Sequence, residues 1–252
     1  MRTLRLILAI APLALVFSSA ALAETADSDP RAVAIADQVM ANLGGKERWE
    51  ALGGLRWTFQ VATGDTLRPA RHHAWDKRTG WHRVEGTNRQ GQPFCMIDQI
   101  DHGEGMAWMN GTSIEGDSLG KLMHRAKSLW TNDTYWMLMP YKLRDPGVKL
   151  GYDGEARDGD KVYDRITLAF DHVGETPGDR YWVYVNRANH RIEKWEHLLQ
   201  GASPPPVPWT WEGWEQHDGL WFPTVHHNGN TTIYTKDIET VKQFPAETFR
   251  TP

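Results

Sequence analysis

The feature that most constrains the fold is a series of short segments in which apolar and polar residues alternate. In the clearest of them, residues 55–61, every second residue is apolar: Leu55, Trp57, Phe59 and Val61. Because successive side chains of a β-strand point to opposite faces, this alternation predicts a strand with one buried and one wet face. Further strand candidates lie at 71–76, 80–85, 93–100 and 105–110, separated by turns that contain Gly, Asn or Asp. This spacing predicts an antiparallel, meander-like sheet rather than βαβ units.

The second half of the chain also reads as strands. Alternation resumes at 165–170, and residues 181–185 are apolar on both faces, which is typical of a central strand. The loop 201–208 contains several prolines, which lack a backbone N–H, so we expect it at the edge or rim of the sheet. The remaining strand candidates lie at 194–199, 209–216, 220–226 and 230–240.

An N-terminal helix is predicted by Ser28-Asp29-Pro30, where an oxygen-bearing cap precedes a proline at the first helical position. Gly44-Gly45 predicts its end.

A helical insert is predicted in the middle of the chain. Apolar residues recur at three- and four-residue steps from 119 to 130, which predicts an amphipathic helix. Asn132 or Asp133 is expected to cap a further short helix that Pro140 ends. That short segment is apolar all round, so we expect it to be buried on several sides or to lie across the mouth of a cavity.

Residues 1–23 have the pattern of a cleavable signal peptide. Arg2 and Arg5 precede an apolar run over residues 6–17, and Ala21-Leu22-Ala23 is the small-x-small pattern of a cleavage site. We expect the mature chain to begin at Glu24 and to be periplasmic or secreted. The apolar run is too short for a transmembrane anchor.

Charge and cysteine content restrict the classes of partner. Without Arg2 and Arg5 the chain has 26 basic residues instead of 28, against 32 acidic ones, so its net charge changes from −4 to −6. The basic residues are dispersed, which argues against nucleic acid as a partner. Cys95 is the only cysteine and lies in an apolar run, so we expect a buried free thiol.

Thirteen of the 252 residues are Trp, and many lie on predicted strands. A Trp side chain has a large apolar surface and an N–H group that requires a partner when buried. So many rings on alternating strands favour a concave face that binds a hydrophobic ligand. A sheet core that simply uses large residues is the alternative.

Patterns that indicate catalysis are weak. The eleven His form no HExxH or His-x-His motif, and the adjacent His72 and His73 would point to opposite faces of a strand. No nucleophile elbow or nucleotide-binding motif occurs, so we predict no metal and no cofactor. Glu193, Glu196, Glu212 and Glu215 lie near the aromatic strands and leave open a glycan-active enzyme; an envelope hydrolase built from dispersed His and Asp is likewise an alternative.

Three segments carry a resemblance to a known family: Gly44-Gly45-x-x-x-Trp49, residues 132–148 and residues 177–185. They resemble a family of uncharacterised secreted bacterial proteins, which is similar to the outer-membrane lipoprotein-sorting proteins LolA and LolB. The resemblance implies an incomplete antiparallel β-barrel that wraps helices and holds lipid acyl chains on its concave face. No functional residue of LolA aligns by motif, and no LolB-type lipid anchor is expected because the required Cys is missing.

These observations predict a mainly β (α+β) fold, an incomplete antiparallel β-barrel or half-barrel. A single domain is expected over residues 24–252, with an N-terminal helix and a helical insert that covers the concave face. The expected function is to hold a lipid, an acyl chain or an acylated protein in a Trp-lined cavity, without a catalytic role. A non-ligand envelope scaffold is the further alternative. The predicted ligand-binding residues are Trp57, Phe59, Trp136, Leu138, Trp195, Trp209 and Trp211.

Overall fold

A computed structural model describes residues 28–170 and 178–252. The predicted signal peptide, residues 1–23, and the predicted mature N-terminus at Glu24 lie outside the described residues. Within the described part, no helix combines the length and the apolar character needed to span a membrane.

The secondary structure follows the predicted order of helix, strands, helical insert and strands. The α-helices are α1 (Pro30–Asn42), α2 (Lys46–Ala51) and α3 (Gly116–Leu138). The strands before α3 are β1 (Gly54–Thr63), β2 (Thr66–Leu67), β3 (Arg71–Asp76), β4 (Trp81–Thr87), β5 (Pro93–Gln99), β6 (Gly105–Met109) and β7 (Thr112–Ser113). The strands after it are β8 (Val148–Asp158), β9 (Lys161–Phe170), β10 (Arg180–Asn186), β11 (Ile192–Leu198), β12 (Val207–Thr210), β13 (Glu215–His217), β14 (Leu220–Phe222), β15 (Val225–Asn228) and β16 (Thr231–Val241). Short 3-10 helices lie at Met139–Tyr141 and Ala246–Phe249.

The first sheet is antiparallel and open. Its strand order is β15-β16-β1-β3-β4-β5-β6-β7, with β2 paired to β1. Trp57 on β1 pairs with His73 on β3, and His73 pairs with Val84 on β4, so these three side chains point to the same inner face. Among the described residues, the end strands β15 and β7 do not pair with each other, so the sheet does not close into a barrel.

The second sheet has the order β12-β11-β10-β9-β8 and is also antiparallel. The predicted central strand, β10, occupies the middle position. The edge strand β12 contains Pro208 and follows the proline-rich loop, as expected. The two sheets meet where β12 lies beside β15, because Thr210 on β12 accepts a hydrogen bond from the backbone N–H of His227 on β15 (3.0 Å).

Helix α1 has the predicted caps. The Asp29 carboxylate accepts a hydrogen bond from the backbone N–H of Arg31 (2.7 Å). After the helix, Gly44 has a φ of +115°, and a Cβ there would lie 2.2 Å from the carbonyl oxygen of Gly219. Gly44 therefore has a left-handed backbone conformation that most residues avoid, and it lies too close to Gly219 for a residue with a Cβ.

The prediction of two separate helices in the insert is wrong. Helix α3 runs unbroken from Gly116 to Leu138, and only a 3-10 turn follows at Pro140. Asp133, expected as a possible helix cap, lies inside this helix and is fully buried. Its carboxylate accepts hydrogen bonds from Arg71 and His73 on β3, so partners from the sheet replace the local backbone contacts of a cap.

Helix α3 covers the inner face of the first sheet. Met123 and Ala126 pack against Val84 and Met96 in a buried apolar cluster. Gly105 on β6 permits this close packing, since a Cβ there would lie 2.5 Å from the sulfur of Met123.

The outer face of the same sheet is covered by the C-terminal segment. Cys95 and Ile97 lie on this face and pack with Phe244 and Phe249. Cys95 is buried and free, as predicted, and burial raises the pKa of its thiol.

The predicted fold class is confirmed. The chain forms an incomplete antiparallel half-barrel with an N-terminal helix, and its helical insert lies on the concave face. Two groups of side chains lie beneath α3, and one group is aromatic and the other ionisable.

Candidate functional site

The seven predicted ligand-binding residues belong to one apolar cluster. Six of them are buried, and Trp209 is half-buried and packs against the others. The structure brings four of them into a chain of ring contacts. The ring centroid of Trp136 on α3 lies 5.0 Å from that of Trp195 and 4.8 Å from that of Trp209, and Trp195 lies 5.1 Å from Trp211. We call Trp136, Trp195, Trp209 and Trp211 the aromatic cluster.

Of the other three predicted residues, two lie on the first sheet and one lies at the end of α3. Trp57 and Phe59 occupy the inner face of β1, where Trp57 stacks on His73 with ring centroids 4.5 Å apart. Leu138 ends α3 and is fully buried. The rings of Trp57 and Phe59 therefore connect the aromatic cluster to a set of ionisable side chains through the same apolar core.

Several indole N–H groups of this region are buried without a hydrogen-bond partner in the described part of the chain. Those of Trp57, Trp195, Trp209 and Trp211 are buried and have no hydrogen-bond partner among the described residues. A buried polar group without a partner destabilises a fold by about 1–3 kcal/mol. The indole N–H groups of Trp75, Trp130 and Trp214 also lack a partner among the described residues, so this property extends beyond the predicted ligand-binding set.

A polar network lies beneath the same helix. Arg71 on β3 donates from Nε and one terminal nitrogen to the two oxygens of Asp133, at 2.6 and 2.8 Å. Nε2 of His73 lies 3.0 Å from Asp133, Nδ1 of His73 lies 3.0 Å from Nε2 of His82, and Nδ1 of His82 lies 2.8 Å from Asp98. The side chains of His73, His82, Asp98 and Asp133 are at most 1% exposed, and that of Arg71 is 25% exposed. We call these five residues the polar network, and Arg71 is the member that reaches solvent.

The geometry of this network fixes how many protons it holds. Each of the three contacts along Asp133, His73, His82 and Asp98 is a hydrogen bond that requires one proton. Since the Asp133 carboxylate is an acceptor, Nε2 of His73 donates to it, and Nδ1 of His73 then accepts from Nε2 of His82. The third proton lies between His82 and Asp98. With the Arg71 guanidinium included, the positive and negative charges cancel, which is what burial demands.

The pKa values agree with this assignment. Burial lowers the pKa of His73 from 6.5 to about 4, so its imidazole is neutral at pH 7. Burial alone would raise the pKa of Asp133, but hydrogen bonds from His73 and Arg71 outweigh it and hold the pKa below its usual value. His226, which lies beside Trp136 and Trp211, has its pKa lowered to about 3 by burial.

None of the five residues of the polar network was among the predicted site residues. His72 and His73 do point to opposite faces, since His72 is exposed and His73 is buried. The available signal was the alternation on β3, where Arg71 and His73 share a face with the apolar Trp75. Polar residues on an otherwise apolar face of a strand mark a buried site, but their partner Asp133 lies about sixty residues further along the chain and is not visible in a local pattern.

The described residues fit the metal-site and the paired-carboxylate alternatives to different degrees. In the described ranges no group of three or more His, Cys, Asp or Glu could hold a metal ion. Three carboxylates, those of Asp158, Glu193 and Glu212, line a surface depression of about 450 Å³ beside the second sheet. Burial alone would raise the pKa of Glu193, but hydrogen bonds from Lys161, Asn186, Tyr163 and Asn189 lower it. A general acid of a glycosidase needs a raised pKa, so Glu193 lacks the environment for that role.

An open antiparallel half-barrel with a helix across its concave face is thus the class that the fold defines. The chain is similar to the crystal structure of a LolA superfamily protein from Nitrosomonas europaea, with a TM-score of 0.51 and 11% sequence identity over 86% of this chain and 96% of that chain. It is also similar to a DUF1329 family protein from Desulfovibrio piger, with a TM-score of 0.51 and 10% identity over 88% of this chain and 98% of that chain. The resemblance stated from the sequence is therefore confirmed at the level of the fold. No protein-family model and no curated protein matches the chain.

Proposed function

We propose that this protein is a carrier that holds a hydrophobic ligand, a lipid or an acyl chain, between helix α3 and the two sheets. The observation that carries the proposal is the aromatic cluster, in which Trp136 of the covering helix contacts Trp rings of the second sheet beside an open first sheet. The seven residues Trp57, Phe59, Trp136, Leu138, Trp195, Trp209 and Trp211 form the proposed binding surface. The similarity to the two solved structures supports the fold on which the proposal depends.

The described conformation is, in this proposal, a closed form. The rings of Trp136, Trp195 and Trp209 contact one another and fill the space that a ligand requires. A ligand chain would replace contacts that Trp136 makes across the cluster, so the C-terminal half of α3 must move outwards. Each methylene that leaves water contributes about 0.8 kcal/mol, which sets the free energy available to offset this movement.

The proposed setting is the periplasm or the extracellular space. The signal-peptide pattern over residues 1–23 supports export, and cleavage after Ala23 would release a mature single domain of residues 24–252. The proposed partner is then a lipid or an acylated protein of the cell envelope.

Native mass spectrometry of the mature protein purified from its own envelope tests the proposal, and a bound lipid is the expected result. In parallel, delipidated protein is titrated with 1-dodecanol. We expect a change in Trp emission and altered hydrogen exchange in residues 133–138, with exchange in α1 unchanged.

A matched pair of variants tests the location of the site. Trp209→Leu should weaken dodecanol binding, because Trp209 lies on the inner face of the second sheet and contacts Trp136. Trp182→Leu should not, because Trp182 is equally half-buried but lies on the opposite face to Trp195. If no lipid co-purifies and dodecanol changes neither emission nor exchange, the rings are filled core and the scaffold alternative holds.

A further inference from the structure

The polar network contains a receptor for an anion that the protein fills with its own side chain. Three N–H groups from alternate residues of β3 converge on the Asp133 carboxylate: Nε and a terminal nitrogen of Arg71, at 2.6 and 2.8 Å, and Nε2 of His73, at 3.0 Å. All three of these donors belong to the sheet, whereas the acceptor belongs to α3, as does Asn132, whose Nδ2 donates a fourth hydrogen bond to Asp133 at 2.8 Å. When α3 moves outwards, the acceptor leaves and the donors stay.

We propose that the ligand is an anionic amphiphile, and that its carboxylate or phosphate takes the place of Asp133 on Arg71 and His73. This inference rests on the proposed carrier function. The fork of an arginine matches a carboxylate or a phosphate oxygen pair, and charge-assisted hydrogen bonds of this type are stronger than neutral ones. A neutral ligand would leave these donors, next to an apolar core, without an acceptor.

The position of Arg71 fits the geometry of an amphiphile. Arg71 is the solvent-reaching member of the network, and its guanidinium lies over the ring of Phe59 at 4.7 Å from the centroid. Phe59 is continuous with the apolar cluster that contains the aromatic rings. A charged head at Arg71 therefore places the attached chain at the entrance to the proposed binding surface, with the head at the rim.

Charge balance also favours this class of ligand. The closed network is neutral because the Asp133 carboxylate offsets the Arg71 guanidinium. An anionic head restores the same balance after α3 has moved, whereas Asp133 becomes free to be hydrated. Asp133 thus acts as an internal competitor of the ligand.

The test compares dodecanoate with 1-dodecanol, which share a chain length and differ in head charge. Binding of both is measured in the wild type, in Asp133→Asn, and in the double variant Arg71→Gln/Asp133→Asn. The double variant pairs two neutral amides of similar size, so it avoids the unpaired buried charge that Arg71→Gln alone would create. Arg68→Gln is the matched control, because Arg68 is exposed and three residues from Arg71. Circular dichroism checks that each variant is folded.

We expect Asp133→Asn to bind both ligands more tightly than the wild type, with dodecanoate preferred over dodecanol by roughly tenfold or more. The ratio of dodecanoate affinity to dodecanol affinity should fall to near one in the double variant. In Arg68→Gln this ratio should equal that of the wild type. An equal preference with and without Arg71 overturns the inference while leaving the carrier proposal standing. Displacement of dodecanoate by acetate at equal concentration assigns the site to free anions and also overturns it. Failure of every variant to bind either ligand overturns the carrier proposal itself.

Discussion

Helix α3 contacts two regions of different chemistry. On the side of the first sheet it is held by the polar network, where directional hydrogen bonds of 2.6–3.0 Å leave each ring nitrogen of His73 and His82 partnered. On the side of the second sheet Trp136 meets the aromatic cluster, whose contacts are tilted or edge-on rings and whose indole N–H groups are largely unpartnered. The first region is held by directional contacts, and the second by apolar ring contacts.

This difference matches two tasks that the carrier proposal assigns to the helix. Hydrogen bonds between buried charged groups lose most of their strength over small displacements, so the polar network favours a single closed position. Ring-on-ring contacts are non-directional by comparison and can be exchanged for contacts with another apolar group. In the proposed carrier, a helix held in this way would close to a defined position and would expose a surface that adapts to the ligand when it moves.

Among the tests of this contrast, the largest change in the free energy of unfolding is expected for Asp133→Ala. Removing the carboxylate leaves Arg71 and His73 without their acceptor, and breaking a buried ion pair destabilises a fold by about 3–5 kcal/mol. Urea denaturation measures the loss. Asp117→Ala, an exposed carboxylate in the first turn of α3, should change the free energy of unfolding by less than about 1 kcal/mol. Similar losses in the two variants would show that the polar network does not hold the helix.

The pH dependence of stability comes next in size. The pKa of His73 is lowered from 6.5 to about 4, so between these pH values the unfolded chain binds a proton there and the folded chain does not. The contribution of His73 to the free energy of unfolding is therefore fully present above pH 6.5. It falls by about 3 kcal/mol as the pH falls towards 4. Asp133, Arg71, His82 and the ring of Trp57 surround His73, and His226, with a pKa of about 3, acts in the same direction.

Chemical denaturation at a series of pH values checks this dependence. His73→Gln should reduce the slope of unfolding free energy against pH between 6.5 and 4. His72→Gln, the exposed neighbour, should leave the slope as in the wild type. A wild-type slope in His73→Gln would mean that the residue is protonated in the folded protein.

A smaller contrast is expected between two buried histidines. His82→Phe removes hydrogen bonds to both His73 and Asp98 and leaves their buried atoms unpaired, so we expect a loss of about 3 kcal/mol or more. His226→Phe removes backbone contacts to Thr210 and Trp136 within a shell of Trp rings, with no buried charge involved, and should lower stability by about 1–2 kcal/mol. Thermal unfolding ranks the two variants, and the reverse order would contradict the division into directional and adaptable regions.

The smallest effect is expected from chelation. The nitrogen atoms of His73 and His82 face hydrogen-bond partners in the polar network. EDTA should therefore leave the melting temperature unchanged, since a bound ion would stabilise the folded state by mass action. A fall in melting temperature with EDTA that zinc reverses would show that a metal replaces this network.

The sequence predicted the parts of the fold that depend on local periodicity. The alternation over residues 55–61 corresponds to the inner and outer faces of β1, and Asp29 and Gly44 mark the ends of α1. The break expected in the insert was wrong because Asp133 is a capping residue type that here finds its partners on the sheet. The apolar cluster could be anticipated from Trp spacing, but the polar network depends on contacts between β3, β4, β5 and α3 that are set only by strand order and helix position.

The packing of Cys95 on the outer face of the first sheet has a practical consequence. The thiol belongs to the same buried cluster as Phe244 and Phe249, on the side of β5 opposite to Met96 and therefore away from α3. Its rate of alkylation under native conditions reports how often the C-terminal segment detaches from the sheet, because the covered thiol cannot react. Alkylation of Cys95 therefore measures motion on the outer face of the first sheet, independently of any movement of α3 on the inner face.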